Sequence, residues 1–342
     1  MEKWKRTLAT PEGSFGYVIE EARQAGRETM PEDENTSKDS EKPDTEKWIR
    51  IADYSGTDIE LHIPSQIDGM PVKVLTKKTF LSRKHLRKII LPKTLEEIGD
   101  WAFAYCTNLE SVWLPKRQVR LGNRIFMECP GLQRIYTYEP GTAAKDLGRK
   151  QMEGTKTEED QRAALLTAAT LMLDAEYLMN LTEAGGEEWI RKWDIRMNGV
   201  MEQADEEGYT KMILCGEEDY GSNIDEFIKN KRKSKVRLAF LRLMNPIGLS
   251  AENEAGLREY LISHTKGCAS EESWEVLLKE YGHKQEYFQL FADIGGVNEQ
   301  NLDAILTDMS AEYAEMKAFL IRYKAEKMEC RDFFDGLSLD SL

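Results

Sequence analysis

Leu91-Pro-Lys-Thr-Leu-Glu-Glu-Ile-Gly-Asp-Trp-Ala-Phe-Ala-Tyr-Cys-Thr-Asn-Leu-Glu-Ser-Val-Trp113 runs straight into Leu114-Pro-Lys-Arg-Gln-Val-Arg-Leu-Gly-Asn-Arg-Ile-Phe-Met-Glu-Cys-Pro-Gly-Leu-Gln-Arg-Ile-Tyr136. Laid one over the other, the two lines agree at a step of 23 residues. Leu91-Pro92 falls on Leu114-Pro115, Ile98 on Leu121, and Ala102-Phe103 on Ile125-Phe126. Cys106 falls on Cys129, Leu109 on Leu132 and Val112 on Ile135. An earlier copy keeps the step, with Leu75, Phe80, Leu86 and Ile89 each 23 residues before Ile98, Phe103, Leu109 and Val112. Ile63-Pro64 lies 28 before Leu91-Pro92, so Ile67-Asp-Gly-Met-Pro71 holds a local insertion.

A fixed period of this length is one turn of a solenoid. Each turn has a short strand, such as Leu109-Glu-Ser-Val-Trp-Leu114, and a return segment carrying the buried aromatic of the Ala-Phe pair. No single turn can bury its own apolar edge, so the turns stack, and both open ends need caps. Upstream, the alternating runs Trp48–Tyr54 and Asp58–Ile63 are split by Ser55-Gly56-Thr57, a hairpin signal. That hairpin is expected to cap one end of the solenoid. The start of the helical region, near Gln161 with Ala164, Leu165 and Leu171 on its apolar side, is expected to cover the other.

The string Ile63-Pro-Ser-Gln-Ile-Asp-Gly-Met-Pro-Val72, followed by Ile98-Gly-Asp-Trp-Ala-Phe-Ala-Tyr-Cys-Thr-Asn-Leu-Glu-Ser-Val-Trp-Leu-Pro115, resembles the BspA-like leucine-rich repeat family. The resemblance covers roughly residues 48–138. It implies a parallel-stranded solenoid used for binding, in a family where many members are surface proteins.

The rest of the chain reads differently. Residues 1–47 are charged and nearly free of apolar side chains from Thr29 to Lys47, so they read as a poorly ordered arm. Within it, Phe15-Gly-Tyr-Val-Ile-Glu-Glu-Ala-Arg suggests a short helix. Residues 48–140 form the solenoid with its hairpin cap. Residues 141–342 read as an α-helical domain, with periodic apolar segments at 161–181, 186–204, 223–244, 251–263, 270–281, 284–294, 299–309 and 312–330. A looser step of 29 relates Leu277, Tyr287, Leu290 and Phe291 to Leu306, Met316, Phe319 and Leu320, which resembles divergent ankyrin-type repeats over 270–330. The expected fold class is α+β: a short solenoid of parallel strands followed by a helical domain.

Charge is spread unevenly over a chain of net −14. Residues 48–138 carry net +5, against −4 before them and −15 after them. A basic block beside an acidic one is either complementarity within the chain or a steering field for an acidic partner. No run of apolar residues is long enough to cross a membrane, and Met1–Glu12 lacks the apolar core of a secretory signal. Five scattered cysteines fit a reduced thiol inventory. A cytoplasmic location is therefore expected, with the cell surface as the alternative.

Candidates for chemistry are thin. There is no phosphate loop, dinucleotide fingerprint, zinc-protease motif or kinase set. Cys106 and Cys129 occupy equivalent positions in stacked turns and read as buried thiols filling the turn. Cys215 stands among Glu217, Glu218 and Asp219, which disfavour a thiolate. His264 and Cys268 lack the further ligands zinc needs. The basic run Lys229–Arg237 reads as a helix face paired with acidic neighbours rather than as a nucleic-acid site. No catalytic residue, cofactor or metal is assigned: a non-enzymatic adaptor or scaffold that binds a protein is expected, with neither nucleic acid nor membrane, the alternatives being an enzyme with an unrecognised active site in the helical half or an exported surface adhesin.

The candidate binding residues come from strand alternation. Leu86, Ile89 and Leu91 point inward, leaving Lys88 and Ile90 outward, with Ser111, Trp113, Arg134 and Tyr136 at the equivalent positions. Stacking aligns them as two rows on the concave sheet face: Ile90, Trp113, Tyr136, and Lys88, Ser111, Arg134. An aromatic row flanked by basic groups has the composition of a protein-binding hot spot. If the arm or the helical domain lies over it, the row is internal packing instead.

Overall fold

The computed structural model describes residues 6–21, 46–142, 156–210 and 223–328. The chain divides into two compact units, Met1–Trp189 and Ile190–Leu342.

In the first unit every solenoid turn contributes one strand to each of two sheets. One sheet has the order β11-β9-β7-β4, built from β4 (Glu60–His62), β7 (Lys88–Ile90), β9 (Ser111–Pro115) and β11 (Arg134–Tyr138). The other runs β1-β2-β3-β6-β8-β10. Its strands are β1 (Arg6–Thr10), β2 (Gly13–Glu21), β3 (Lys47–Gly56), β6 (Met70–Leu75), β8 (Glu97–Ile98) and β10 (Arg120–Leu121), with β5 (Gln66–Ile67) pairing off β6. The solenoid strands pair in parallel, and the register follows the 23-residue step: Ile89 faces Val112, which faces Ile135.

The repeat residues form ladders because equivalent side chains stack. Phe80 and Phe103 lie 5.1 Å apart and nearly parallel, and Phe126 continues the stack 5.5 Å from Phe103. The turns are close at Gly99, where an added Cβ would stand 2.4 Å from the Lys77 backbone nitrogen. Gly122 repeats that approach against Asp100, so a larger residue at either place would wedge two turns apart.

The N-terminal end differs from the sequence expectation in three ways. Residues 6–21 are not a poorly ordered arm but an antiparallel hairpin, β1 with β2, that extends the larger sheet against β3. The segment from Phe15 is strand rather than helix. Phe15 and Tyr17 alternate into the core, and β-branched and aromatic residues favour that pleat. Residues 22–45 lie outside the described residues. The expected hairpin at 48–63 is also absent. β3 and β4 belong to different sheets, since β3 pairs with β2 and β6 while β4 pairs in parallel with β7. Alternation alone does not name a strand's partner, and the parallel register puts Leu61 beside Ile89 in the common core.

The cap is therefore the β1–β2 hairpin. Phe15 and Tyr54 close the phenylalanine ladder at Phe80. Buried Asp58 holds the corner between β3 and β4. It accepts hydrogen bonds from Thr10 Oγ1 (2.5 Å), the Glu12 backbone N–H (3.0 Å) and the Tyr54 hydroxyl (2.6 Å). One carboxylate thus ties the hairpin turn to the first solenoid turn.

At the other end α1 (Glu158–Leu171) packs against β11, as expected for a cover. Thr157 caps it in a box with Asp160. Ala163 to Ala169 are buried without a break, so this helix is enclosed on all sides rather than laid on a surface. Leu171, expected on its apolar side, is instead 39% exposed at the helix end.

Among the described residues seven further α-helices follow: α2 (Glu187–Met201), α3 (Ile224–Met244), α4 (Ala251–Ser263), α5 (Glu272–Tyr281), α6 (Gln285–Asp293), α7 (Leu302–Asp308) and α8 (Ala314–Tyr323). Together with α1 they match the eight periodic segments read from sequence. In the second unit, buried Arg242 forms an ion pair with Asp194 (2.8 Å) and donates to the carbonyls of Asn245 and Ile247. Of the residue pairs related by the step of 29, only Phe291 and Leu320 are both buried.

Candidate functional site

The two outward rows form as read from the strands. Ile90, Trp113 and Tyr136 are in register, as are Lys88, Ser111 and Arg134. The first row does not face solvent. Trp113 and Tyr136 stack 4.3 Å apart and are each 4% exposed, in a cluster with Tyr138 and Ala163 of α1; Ile90 packs against its edge. The Tyr136 hydroxyl donates to Asp160 Oδ1 (2.8 Å), and Tyr138 donates to the Leu91 carbonyl (2.5 Å). Burial raises the Asp160 pKa, but hydrogen bonds from Thr157 and Tyr136, with Arg134 nearby, outweigh it and hold the group below the ordinary carboxylate value. The aromatic row is thus the seat of α1. Lys88, Ser111 and Arg134 stay partly exposed beside it, and Lys88 stands 3.8 Å from Glu60.

A different row of the same repeat is open. Lys78, Trp101 and Arg124 are equivalent residues of successive return segments, and all three have left-handed backbones, with φ of 62°, 57° and 52°. For a residue as bulky as tryptophan that conformation is unusual. Here it is set by the repeat, since the Lys78 and Trp101 N–H groups each bond the carbonyl of the next turn, at Asp100 and Asn123. The last turn has no successor in that ladder. Its Arg124 N–H is instead met by the Glu176 carboxylate (3.3 Å), on the short turn Glu176–Leu178.

Around half-buried Trp101 lies a groove of 360 Å³ lined by Lys77, Lys78, Asp100, Asn123 and Arg124. Lys78 Nζ sits 4.9 Å from the centre of the Trp101 ring, a cation–π contact. Asp100 Oδ1 accepts from the Asn123 backbone and side chain. A larger trough of 680 Å³ shares Lys77 and Asp100 and crosses the larger sheet over Ala52, Thr76, Gly99 and Gly122. Elsewhere on the solenoid several cations are matched: Arg50 with Glu20, Lys73 with Glu46 and Glu96, Arg87 with Glu110, Lys116 with Glu139, Arg120 with Glu97. Among the described residues, the side chains of Lys77, Lys78 and Arg124 have no carboxylate partner.

Trp101 stands inside the repeat string, but strand alternation assigns it no role. The signal was available. Its equivalents are lysine and arginine, residues that keep their charge in water, so a tryptophan in their company sits at a surface position.

The other candidates resolve as structure. Cys106 and Cys129 are free and buried, each donating to a carbonyl of the preceding turn, Phe80 and Phe103, at 3.0 Å. Burial pushes their thiols up to about 12 and about 11, away from nucleophilic character. His264 ends α4 and contacts the Tyr260 carbonyl, while Cys268 lies beyond the helix. No three His, Cys, Asp or Glu residues among those described gather to hold a metal ion. The basic run on α3 is paired: Lys229 and Lys233 with Glu275, Arg232 and Lys235 with Asp205, Arg237 with Glu280. Cys215 and the acidic trio from Glu217 lie outside the described residues. No helix among the described residues is long and apolar enough to cross a membrane.

Residues 62–146 match the family model described as a BspA type leucine rich repeat region (6 copies). The solenoid is a leucine-rich repeat of the BspA type. A leucine-rich repeat protein of T. pallidum, known from its crystal structure, is 34% identical over 29% of this chain and 45% of its own, with a TM-score of 0.26. A leucine rich cell surface protein from Faecalibacterium prausnitzii A2-165 is 18% identical over 40% of this chain and 31% of its own, with a TM-score of 0.25. The chain thus spans less than half the length of either. A search of curated proteins gave no match. The leucine-rich repeat suggests a protein-interaction or surface-protein role for this chain.

Proposed function

We propose that this chain is a non-enzymatic adaptor or scaffold that binds a partner protein through the Trp101 groove of its leucine-rich repeat. One observation carries the reading: a half-buried tryptophan at a surface repeat position, ringed by unpaired cations, while the aromatic row of the opposite sheet is occupied by α1. Tryptophan and arginine dominate binding hot spots. The partly exposed Lys88, Ser111 and Arg134, with Ile90, serve at most as a secondary contact, because their aromatic neighbours are enclosed. The odd number and scattered spacing of the five cysteines support a cytoplasmic setting; degradation of the protein by protease added to intact cells would place it at the surface instead.

The test is affinity purification of the full chain from its native host with three baits: the unchanged protein, Trp101→Ala, and Lys88→Glu with Arg134→Glu. The groove reading expects a specific partner with the first and third baits and its loss with Trp101→Ala. Retention by Trp101→Ala, with loss in the Lys88/Arg134 variant, returns the binding site to the sheet face.

A further inference from the structure

We propose that the Trp101 groove takes an extended acidic peptide segment in which an apolar residue lies between two carboxylates. The inference rests on the groove being the binding site and adds the chemistry of what enters it. The solenoid geometry sets the spacing. Equivalent residues of successive parallel strands lie about 4.8 Å apart, so Lys78 and Arg124, two turns apart, stand on the order of 10 Å from each other. An extended chain advances about 3.4 Å per residue with alternate side chains on one face, so carboxylates four positions apart share a face with the residue midway between them, about 14 Å from end to end, a span that the long, exposed Lys78 and Arg124 side chains can splay to meet. The midway residue then lies over the ring of Trp101, where an apolar side chain gains most.

Charge decides the sign of the partner. Three cations line the groove against one carboxylate, Asp100, and that carboxylate already accepts from Asn123. Lys77 and Lys78 are exposed, as is Arg124, while the neighbouring cations Arg50 and Arg120 are held by Glu20 and Glu97. Part of the basic charge of the solenoid that carries no carboxylate partner thus lines this groove. A peptide fits better than a nucleic acid. Phosphate-backbone binding uses a longer run of cations, and here Asp100 lies in the groove and Glu176 at its end.

The experiment uses immobilised peptides carrying Glu-x-Leu-x-Glu, the same peptides with Gln for Glu, the same with Lys, and a single-stranded homopolymer of uridine. The full chain is passed over them at low salt. Retention on the Glu peptides is expected to exceed that on the Gln peptides about tenfold, as for two charge contacts in a partly desolvated groove, and to fall as salt screens them. Lys78→Glu with Arg124→Glu should remove the difference, and Lys78→Gln with Arg124→Gln should reduce it, with the thermal midpoint unchanged. Lys88→Glu with Arg134→Glu should leave it intact. Equal retention on Glu and Gln peptides overturns the proposal, as does stronger retention on the homopolymer. If Trp101→Ala loses the native partner but no preference for glutamate exists, the acidic chemistry fails and the groove stands. If the preference exists but Trp101→Ala keeps the native partner, the groove is not the partner site.

Discussion

Two rows of the leucine-rich repeat can be set side by side: Ile90, Trp113, Tyr136 on the four-stranded sheet, and Lys78, Trp101, Arg124 on the return segments. Both obey the same 23-residue step, and both centre on a tryptophan of the same turn. Trp113 is enclosed at 4% exposure, whereas Trp101 stands half-open in a groove. The difference lies in the neighbours. On the sheet, two adjoining aromatics make a flat apolar strip that seats an alanine-rich helix, and the one hydroxyl at its edge is matched by Asp160. On the return side the tryptophan alternates with cations, which no alanine-rich helix could cover without burying unpaired charge. An aromatic row therefore marks a contact. Whether that contact is internal or external depends on the charge interleaved with it.

The largest expected effect breaks the internal side of the comparison. Trp113→Ala removes the ring on which both Tyr136 and α1 pack, and should lower the stability of the first unit by about 3–5 kcal/mol in urea unfolding. A loss under about 1 kcal/mol would mean that α1 is not seated on this row.

A smaller effect concerns the N-terminal cap. Burial raises the Asp58 pKa, but hydrogen bonds from Thr10, Tyr54 and Glu12 outweigh it, so the folded value lies below the ordinary 3.8. A lowered folded pKa gives stability that is present above 3.8 and is lost as pH falls through the folded value. Asp58→Asn should therefore be about 2 kcal/mol less stable at neutral pH, and the gap should narrow as the pH drops below the ordinary carboxylate range. Acid titrations of both proteins by circular dichroism check this. A gap constant down to strongly acidic pH would show that the charge of Asp58 does not hold the cap.

Much of the architecture was legible because it is periodic. The 23-residue step gave the ladder of Phe80, Phe103 and Phe126 and the register of Lys88, Ser111 and Arg134, since stacking copies a position from turn to turn. Helical periodicity located the eight α-helices found among the described residues. The N-terminal cap was not legible. The β1–β2 hairpin is unlike the repeats it closes, and the strands either side of Ser55-Gly56-Thr57 alternate equally well as a hairpin or as strands of two sheets. The candidate site was half legible. The rows were right in register, but alternation says only which way a side chain leaves its strand, not what lies above it. The cover comes from α1, whose cap at Thr157 begins 19 residues after Tyr138.

The most direct measurement is hydrogen exchange of the full chain, free and bound to the partner that it captures. Added protection is expected in the return segments around Lys78, Trp101 and Arg124, with β7, β9 and β11 and the α1 amides unchanged because α1 stays in place. Protection confined to those strands, with faster exchange in α1 as it leaves the Trp113–Tyr136 row, would contradict the assignment of the open groove as the binding site.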